Sequence, residues 1–314
     1  MNQPSIRKNF IFRALYELLI MITPFITTPY VARVLGSDGA GISSYTGSVM
    51  AFFTMFAALG TPQYGLREIA RHRDNPQEAS RLFWEIELLT VFTSLVCLIG
   101  WIGVCIFWTE FRIYCLALTP TLLSTMFDIS WFFTAYENVG YTVARNAFFK
   151  ILGIILLLTL VKTKSDLALS IFLAAITSML GSLSMWIYLP KMLVKVDLRM
   201  LKFRHHFHET LVYFIPTIAV SISAVLDKFL LGLIIHDYSL SGYYAHARKL
   251  MGLVDSLVIF SMFTVMEARV SYLFALGETE EIKRRISRAL DFSFLLGFGC
   301  IFGVAGIAHV FVVR

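Results

Sequence analysis

Nine long apolar stretches run through this chain of 314 residues and constrain its fold more than any other feature. A helix needs about 20 apolar residues to cross the hydrocarbon core of a bilayer. The predicted spans are 10–35, 41–62, 83–108, 113–136, 141–161, 166–189, 210–235, 242–272 and 289–313. The sequence therefore predicts an all-α, polytopic membrane helix bundle with about nine transmembrane helices.

Composition agrees with a membrane protein and leaves little room for other classes. The chain is 57% hydrophobic and 15% charged, and the spans with their short loops use nearly all of its length. We therefore expect no soluble catalytic domain and no enzyme activity. The net charge of +6 comes from basic residues in loops beside the spans, where they contact anionic lipid headgroups. Membrane lipids, and not nucleic acid, are the expected partners.

The basic residues also predict how the chain is oriented. Lys and Arg are concentrated in alternate connections, which by the positive-inside rule face the cytoplasm. These basic positions are Arg7, Lys8, Arg67, Arg71, Arg73, Arg81, Lys191, Lys195, Arg199, Lys202, Arg204, Lys283, Arg284, Arg285 and Arg288. The opposite connections contain few basic residues. We expect a multi-pass membrane protein with a cytoplasmic N-terminus.

A weak internal repeat divides the chain into two parts. Gly41-Ile-Ser-Ser-Tyr45, which opens the second span, is echoed by Gly242-Tyr-Tyr-Ala-His246, which opens the eighth. Parallel internal repeats are a known transporter architecture. The repeat predicts a six-helix lobe at 1–200 and a partial second lobe with three helices at 201–314. The basic connection 190–209 is the expected hinge between them.

Charged residues inside a bilayer are costly, so each needs a partner, water or a task. In the first span Arg13 and Glu17 share one helical face, either as a pair or as part of a cavity at the cytoplasmic side. Asp128 lies near the middle of the fourth span. It is expected to pair with Lys150 of the fifth span, to be protonated without a further role, or to take part in ion coupling.

The seventh and eighth spans contain a second group of charges. Asp227 and Lys228 in one span, and Arg248 and Lys249 in the next, lie roughly 10 Å below the outer surface. Asp227 is expected to pair with Arg248 or Lys249. The remaining cation could then bind a phosphate-bearing substrate in a water-filled cavity. Asp255, two turns beyond Arg248, is a weaker cavity candidate.

Other potential motifs are weak. His205, His206 and His208 lie in a basic connection without a carboxylate or cysteine framework, so we interpret them as solvated loop residues rather than metal ligands. Cys97, Cys105, Cys115 and Cys300 lack metal-binding spacing and are expected to be small buried hydrophobes. The sequence contains no nucleotide-binding GxxxxGK[ST] loop. We predict neither a metal nor a cofactor.

Several short segments resemble one family of membrane proteins. They are Thr28-Pro-Tyr-Val-Ala-Arg-Val-Leu-Gly36, Leu66-Arg-Glu-Ile-Ala70, Asp128-Ile-Ser-Trp-Phe-Phe133 followed by Glu137 and Arg145-Asn146, and Leu226-Asp-Lys228 followed by Gly242-Tyr243. Their order and spacing are similar to those of bacterial polysaccharide (O-antigen or capsule) flippases. These proteins belong to the multidrug/oligosaccharidyl-lipid/polysaccharide exporter superfamily.

The resemblance implies twelve to fourteen helices in two lobes and transport by alternating access. The implied substrate is an undecaprenyl-diphosphate-linked oligosaccharide repeat unit, with polysaccharide polymerase and chain-length proteins as possible partners. Cationic cavity residues are implicated in that family, which favours Arg13, Arg248 and Lys249 as substrate-binding candidates. Glu17, Asp128, Lys150, Asp227, Lys228 and Asp255 are the candidates for ion coupling or pairing.

Three alternatives to this flippase remain open. One is an exporter of drugs or peptidoglycan precursors from the same superfamily, although drug exporters should favour acidic cavity residues. Another is a membrane glycosyltransferase or polymerase, which should have a large external loop. The third is an inactive truncated lobe, because the family's last three to five helices are not found in this chain.

Overall fold

The computed structural model describes residues 6–137, 139–196, 201–235, 237–255 and 279–312, and every regular element in these ranges is helical. The helices are α1 (Ile6–Val34), α2 (Gly36–Ala58), α3 (Thr61–His72), α4 (Pro76–Phe107), α5 (Arg112–Met126), α6 (Ser130–Ala135), α7 (Val139–Leu160), α8 (Leu167–Trp186), α9 (Phe203–Ile235), α10 (Tyr238–Asp255) and α11 (Thr279–Val312). Three short 3-10 turns lie at Thr109–Phe111, Lys164–Asp166 and Leu189–Lys191.

Seven segments of the described residues are long and apolar enough to cross a membrane. They are Leu15–Val34, Gly36–His72, Pro76–Phe107, Thr109–Ala135, Gly140–Leu160, Lys164–Lys191 and Glu280–Gly303. Each matches one predicted span. The predicted span 210–235 lies inside α9, whereas 242–272 begins in α10 and continues into 256–278, outside the described residues. The prediction of an all-α polytopic membrane bundle is confirmed.

The chain forms two compact units, Met1–Ala245 and His246–Arg314. Aromatic and aliphatic side chains fill the core of the first unit, and Phe83, Trp101, Phe132 and Phe133 are all fully buried there. The predicted lobes, 1–200 and 201–314, stay a prediction.

A sharp bend separates α2 from α3. Leu59 and Gly60 both have left-handed backbone conformations, with φ of 44° and 74°. Glycine adopts this conformation without steric cost. It also leaves room for α9, because a methyl group at Gly60 would lie 2.7 Å from the carbonyl oxygen of Thr210. The bend therefore forms a packing surface for the first turns of α9.

Two glycines allow α2 and α10 to cross closely. A methyl group at Gly41 would overlap the carbonyl oxygen of Tyr238, and one at Gly242 would overlap the carbonyl oxygen of Ser37. Each glycine thus meets the residue four positions before the other. Such a reciprocal contact is what a two-fold relation between equivalent segments produces. It agrees with the repeat in which Gly41 corresponds to Gly242.

Small polar residues join α5 to α8. The Ser124 hydroxyl lies 2.9 Å from the Ser178 hydroxyl and 3.0 Å from the Ser182 hydroxyl. Small residues let helices approach closely within a membrane, and their hydroxyl groups hydrogen-bond across the interface. This contact holds the C-terminal half of α5 close to α8, next to the break that follows α5.

Candidate functional site

Arg145 is a charged residue of α7 that contacts polar side chains of its own helix and of α8. It lies roughly 9 Å from the start of α7 and is partly buried. Its guanidinium donates to the Ser184 hydroxyl of α8 at 3.1 Å and to the Asn146 side-chain oxygen at 2.6 Å. The Nε atom is buried and has no hydrogen-bond partner in the described part of the chain. The guanidinium therefore keeps N–H groups, among them the buried Nε–H, for a further acceptor.

Asp128 lies where α5 breaks and α6 begins. Its carboxylate accepts the backbone N–H of Ser130, the first residue of α6, at 2.9 Å, and it interacts electrostatically with Arg145. Lys150, five residues further along α7, is exposed and forms no ion pair with described residues. The structure thus brings Arg145, rather than the expected Lys150, towards Asp128. Five residues turn Lys150 away from the face of α7 that carries Arg145.

A second carboxyl group, that of Glu87, lies near Asp128. Glu87 is only 1% exposed and interacts electrostatically with Asp128. Neither of its side-chain oxygens has a hydrogen-bond partner among the described residues. A buried carboxyl group without a partner is far less costly as the neutral acid than as the anion. We refer to Glu87, Asp128, Arg145, Asn146 and Ser184 as the polar cluster.

The polar cluster lies at one end of the first unit. We call it the basic end, because Arg71, Arg73, Arg81, Lys191, Lys195, Lys202 and Arg204 lie there, where α3 leads to α4 and α8 leads to α9. Tyr16 of α1 joins the cluster through an electrostatic interaction with Arg145, and its neighbour Glu17 is partly buried. Arg13, one turn earlier on α1, belongs to the same end by position. Its side chain lies outside the described part of the chain.

A second buried network joins α3, α4 and α9. Glu85, His206 and Tyr64 are 1%, 4% and 6% exposed. The Tyr64 hydroxyl lies 2.6 Å from Nδ1 of His206, and Nε2 of His206 lies 2.8 Å from Oε2 of Glu85. The interpretation of His206 as a solvated loop residue is therefore wrong. The residue lies in the first turn of α9, where helix packing removes it from water.

The connection that the sequence predicts as a hinge is anchored to α4 at two backbone positions. The backbone N–H of Val194 donates to the Ser80 hydroxyl at 2.9 Å, and that of Lys202 donates to Oε1 of Glu85 at 2.8 Å. Arg81 also donates to Oε1 of Glu85, at 3.1 Å. The described parts of this connection are thus fixed to α4 within the first unit.

The charges of the seventh and eighth predicted spans occupy both units. Asp227 is exposed, and its carboxylate accepts the Tyr244 hydroxyl at 3.0 Å, while Lys228 is partly buried. Arg248 and Lys249 are exposed residues of α10 in the second unit. Their pairing with Asp227 stays a prediction. Asp255 ends α10, and its side chain lies outside the described part.

An apolar cavity lies elsewhere, between α4 and α5. Its volume is about 540 Å³, and Leu98, Ile102, Leu116 and Leu123 contribute to its lining. Arg112 borders it, but the guanidinium donates to the last carbonyl groups of α4, on Cys105 and Ile106, at 3.1 and 2.9 Å. The cavity offers few groups that could bind sugar or phosphate. The polar cluster is the better candidate site.

Four important residues of these two networks were not predicted from the sequence. Three of them are charges inside predicted spans: Glu85 and Glu87 in 83–108, and Arg145 in 141–161. The high cost of a charge inside a bilayer could have identified each of them. His206 lay in a segment interpreted as a solvated loop. The available signal was the position of three charges within apolar spans.

Comparisons with known proteins agree on the class of molecule. A family model described as "Polysaccharide biosynthesis protein" matches residues 6–266. A protein of Escherichia coli (strain K12) described as "Putative O-antigen transporter" is 23% identical over 249 residues, which cover 78% of this chain and 60% of that protein. The chain thus spans about three fifths of the length of this curated relative.

A solved structure shares the fold. The MATE multidrug transporter DinF-BH superimposes with a TM-score of 0.57 over 97% of this chain and 72% of that chain. The two sequences are 18% identical. At this identity the likeness describes the arrangement of helices alone.

Proposed function

Because this chain belongs to the polysaccharide biosynthesis protein family, we propose that it is a transporter that exports oligosaccharide repeat units in polysaccharide biosynthesis. The substrate would be an undecaprenyl-diphosphate-linked oligosaccharide, moved by alternating access from the inner to the outer leaflet of the bacterial cytoplasmic membrane. Its N-terminus would be cytoplasmic, so the basic end would face the side where the substrate is made. The resemblance to an O-antigen transporter supports this assignment.

The observation that supports the proposal most is that Arg145 places a partly buried guanidinium inside a membrane-spanning helix. Charged residues in membrane-spanning helices are costly and are kept mainly where they have a task. The Nε–H of Arg145 is buried and has no hydrogen-bond partner among the described residues, and a planar guanidinium is well suited to binding phosphate oxygens. Asn146, Ser184 and Tyr16 surround it with groups that hydrogen-bond to sugar hydroxyls. The polyprenyl chain of the substrate can stay in the lipid.

Arg13 would provide a second cation for the diphosphate at the same end of the bundle. Arg248 and Lys249 would bind the substrate at a later stage, nearer the outer leaflet. Glu17, Asp128, Asp227, Lys228 and Asp255 remain candidates for ion coupling or for balancing these cations. Glu87 joins them because it is buried without a hydrogen-bond partner among the described residues.

A matched pair of variants on α7 tests the role of Arg145. We expect Arg145→Gln to lower surface polysaccharide at least about tenfold, the equivalent of one lost charge-assisted hydrogen bond. Lys150→Gln removes the same charge from an exposed position of the same helix and should leave the polymer unchanged. The measurement is surface polymer in a host that lacks its own copy of the protein, with membrane levels determined in parallel. Equal polymer in the two variants would show that Arg145 does not bind the substrate.

A further inference from the structure

We propose that Glu85, Tyr64 and His206 form a latch that holds the start of α9 against α3 and α4 and keeps the basic end closed. The three side chains come from three helices and are joined by two short hydrogen bonds, of 2.6 and 2.8 Å. The role of the latch in transport, as the contact that must break for the basic end to open, rests on the proposed export function. The existence of the contact does not depend on that function.

The polar atoms of Glu85 and His206 in the latch all have hydrogen-bond partners, which makes the latch stable as long as water does not enter it. Glu85 accepts from His206, Arg81 and the backbone N–H of Lys202, so both of its oxygens are engaged. Both ring nitrogens of His206 also have a partner. Groups in such a network support one another, and the loss of one partner leaves another buried group unpaired. The latch is therefore expected to open as a unit.

Neighbouring contacts extend the latch along the first turns of α9. Arg67 of α3 donates to the Tyr213 hydroxyl at 2.8 Å, and the Tyr64 and Tyr213 rings lie 5.9 Å apart. Gly60, at the bend before α3, lies against the backbone of Thr210. These contacts combine a tight backbone fit, exposed polar groups and one aromatic contact, in which the buried Phe214 ring packs on Phe56 with ring centroids 5.5 Å apart. Water can replace the polar partners once α9 moves, so the closed contact can also separate.

The other end of α2 suits a pivot. The reciprocal crossing at Gly41 and Gly242 lies roughly 28 Å along α2 from the Gly60 bend. It is held by the close approach of backbones, supported by the Ser37 and Ser239 hydroxyls 3.2 Å apart. A pivot at the glycine crossing and a latch at the basic end together allow α9 to swing away from α3. The glycine crossing can stay closed during this motion.

Chemical accessibility of a buried position behind the latch tests this arrangement. Thr210 is 0% exposed and lies against Gly60. We would place a single cysteine there by Thr210→Cys in a full-length chain without its four native cysteines, and measure its alkylation by a maleimide in detergent. Glu85→Gln, His206→Gln and Tyr64→Phe should each speed alkylation about tenfold, the effect of one unpaired buried group. Glu78→Gln, an exposed partner of Arg81 on the same helix, should leave the rate unchanged.

Two further measurements distinguish opening of the latch from a loss of packing throughout the protein. The double variant Glu85→Gln/His206→Gln should react about as fast as the faster single variant, because both changes open the same contact. In a second chain that keeps only the buried Cys115, the same variants should leave the alkylation rate low. An unchanged rate at Thr210→Cys, or an equal increase at Cys115, would overturn the latch. None of these measurements requires a substrate, so they test the latch independently of the proposed export function.

Discussion

Glu85 and Glu87 lie two positions apart on α4, and both are 1% exposed, yet their surroundings are opposite. Glu85 accepts hydrogen bonds from α9, from the connection before it and from Arg81. Glu87 has no hydrogen-bond partner in the described part of the chain. Two residues correspond to about 200° around a helix, so the two carboxyl groups point to different sides of α4. Equal burial thus conceals two different roles.

The comparison shows that hydrogen-bond pairing separates structural charges from available ones. A buried network in which every group is paired fixes one arrangement of helices. A buried polar group without a partner lowers the stability of the fold, because it loses its hydrogen bonds to water and packing does not replace them. Such groups are enriched at functional sites. The latch is of the first kind. The polar cluster, with Glu87 and Nε of Arg145 lacking hydrogen-bond partners among the described residues, is of the second.

The largest effect on stability is expected from Glu85→Gln. The neutral amide weakens the interaction with Arg81 and places an N–H₂ group against a donor of the network. We expect the free energy of unfolding to fall by about 2 kcal/mol. A titration with SDS in mixed micelles, followed by far-UV circular dichroism, measures the change. Stability within about 0.5 kcal/mol of the unaltered protein would show that the Glu85 network adds little to the fold.

Tyr64→Phe should have an intermediate effect. It removes one hydroxyl group, keeps the ring packing and leaves Nδ1 of His206 unpaired. The expected loss is about 1 kcal/mol in the same titration. Combined with Glu85→Gln, the double variant should lose less than the sum of the two single losses, because His206 links both residues. Full additivity would indicate that Tyr64 and Glu85 act independently.

The smallest effect on stability is expected from Glu87→Gln. The amide has nearly the shape of the neutral acid and breaks no hydrogen bond of the described chain, so the change should stay within about 0.5 kcal/mol. Export measured as surface polymer could still fall if Glu87 exchanges a proton during transport. A stability loss as large as that of Glu85→Gln would contradict the contrast between the two residues.

Much of the fold could be predicted from sequence because membranes impose a simple rule. Seven predicted spans coincide with apolar helices of the structure, since about 20 apolar residues are required wherever a helix crosses the hydrocarbon core. The repeat at Gly41 and Gly242 was also visible in sequence. That these two glycines meet reciprocally was not visible, because residues about 200 positions apart must first be brought together by packing.

The candidate site was predicted less well, for reasons that particular residues illustrate. Asp128 was singled out as a costly charge, but the cation of α7 that interacts with it is Arg145 rather than Lys150, because this depends on the rotation of α7. His206 was assigned to solvent from the polarity of its neighbours. Its burial follows from the packing surface formed by the bend at Gly60, a tertiary feature.

The sequence by itself determined the membrane class, the helical spans, the basic end and the family resemblance, because these depend on the solvent that each segment meets. Only the tertiary structure decided which buried charges are paired. Pairing depends on helix rotation and on contacts between distant segments. A shift of two residues, about half a turn of α4, separates a paired carboxyl group from one without a hydrogen-bond partner among the described residues. Glu85 and Glu87 carry the same side chain, and their neighbours alone distinguish them.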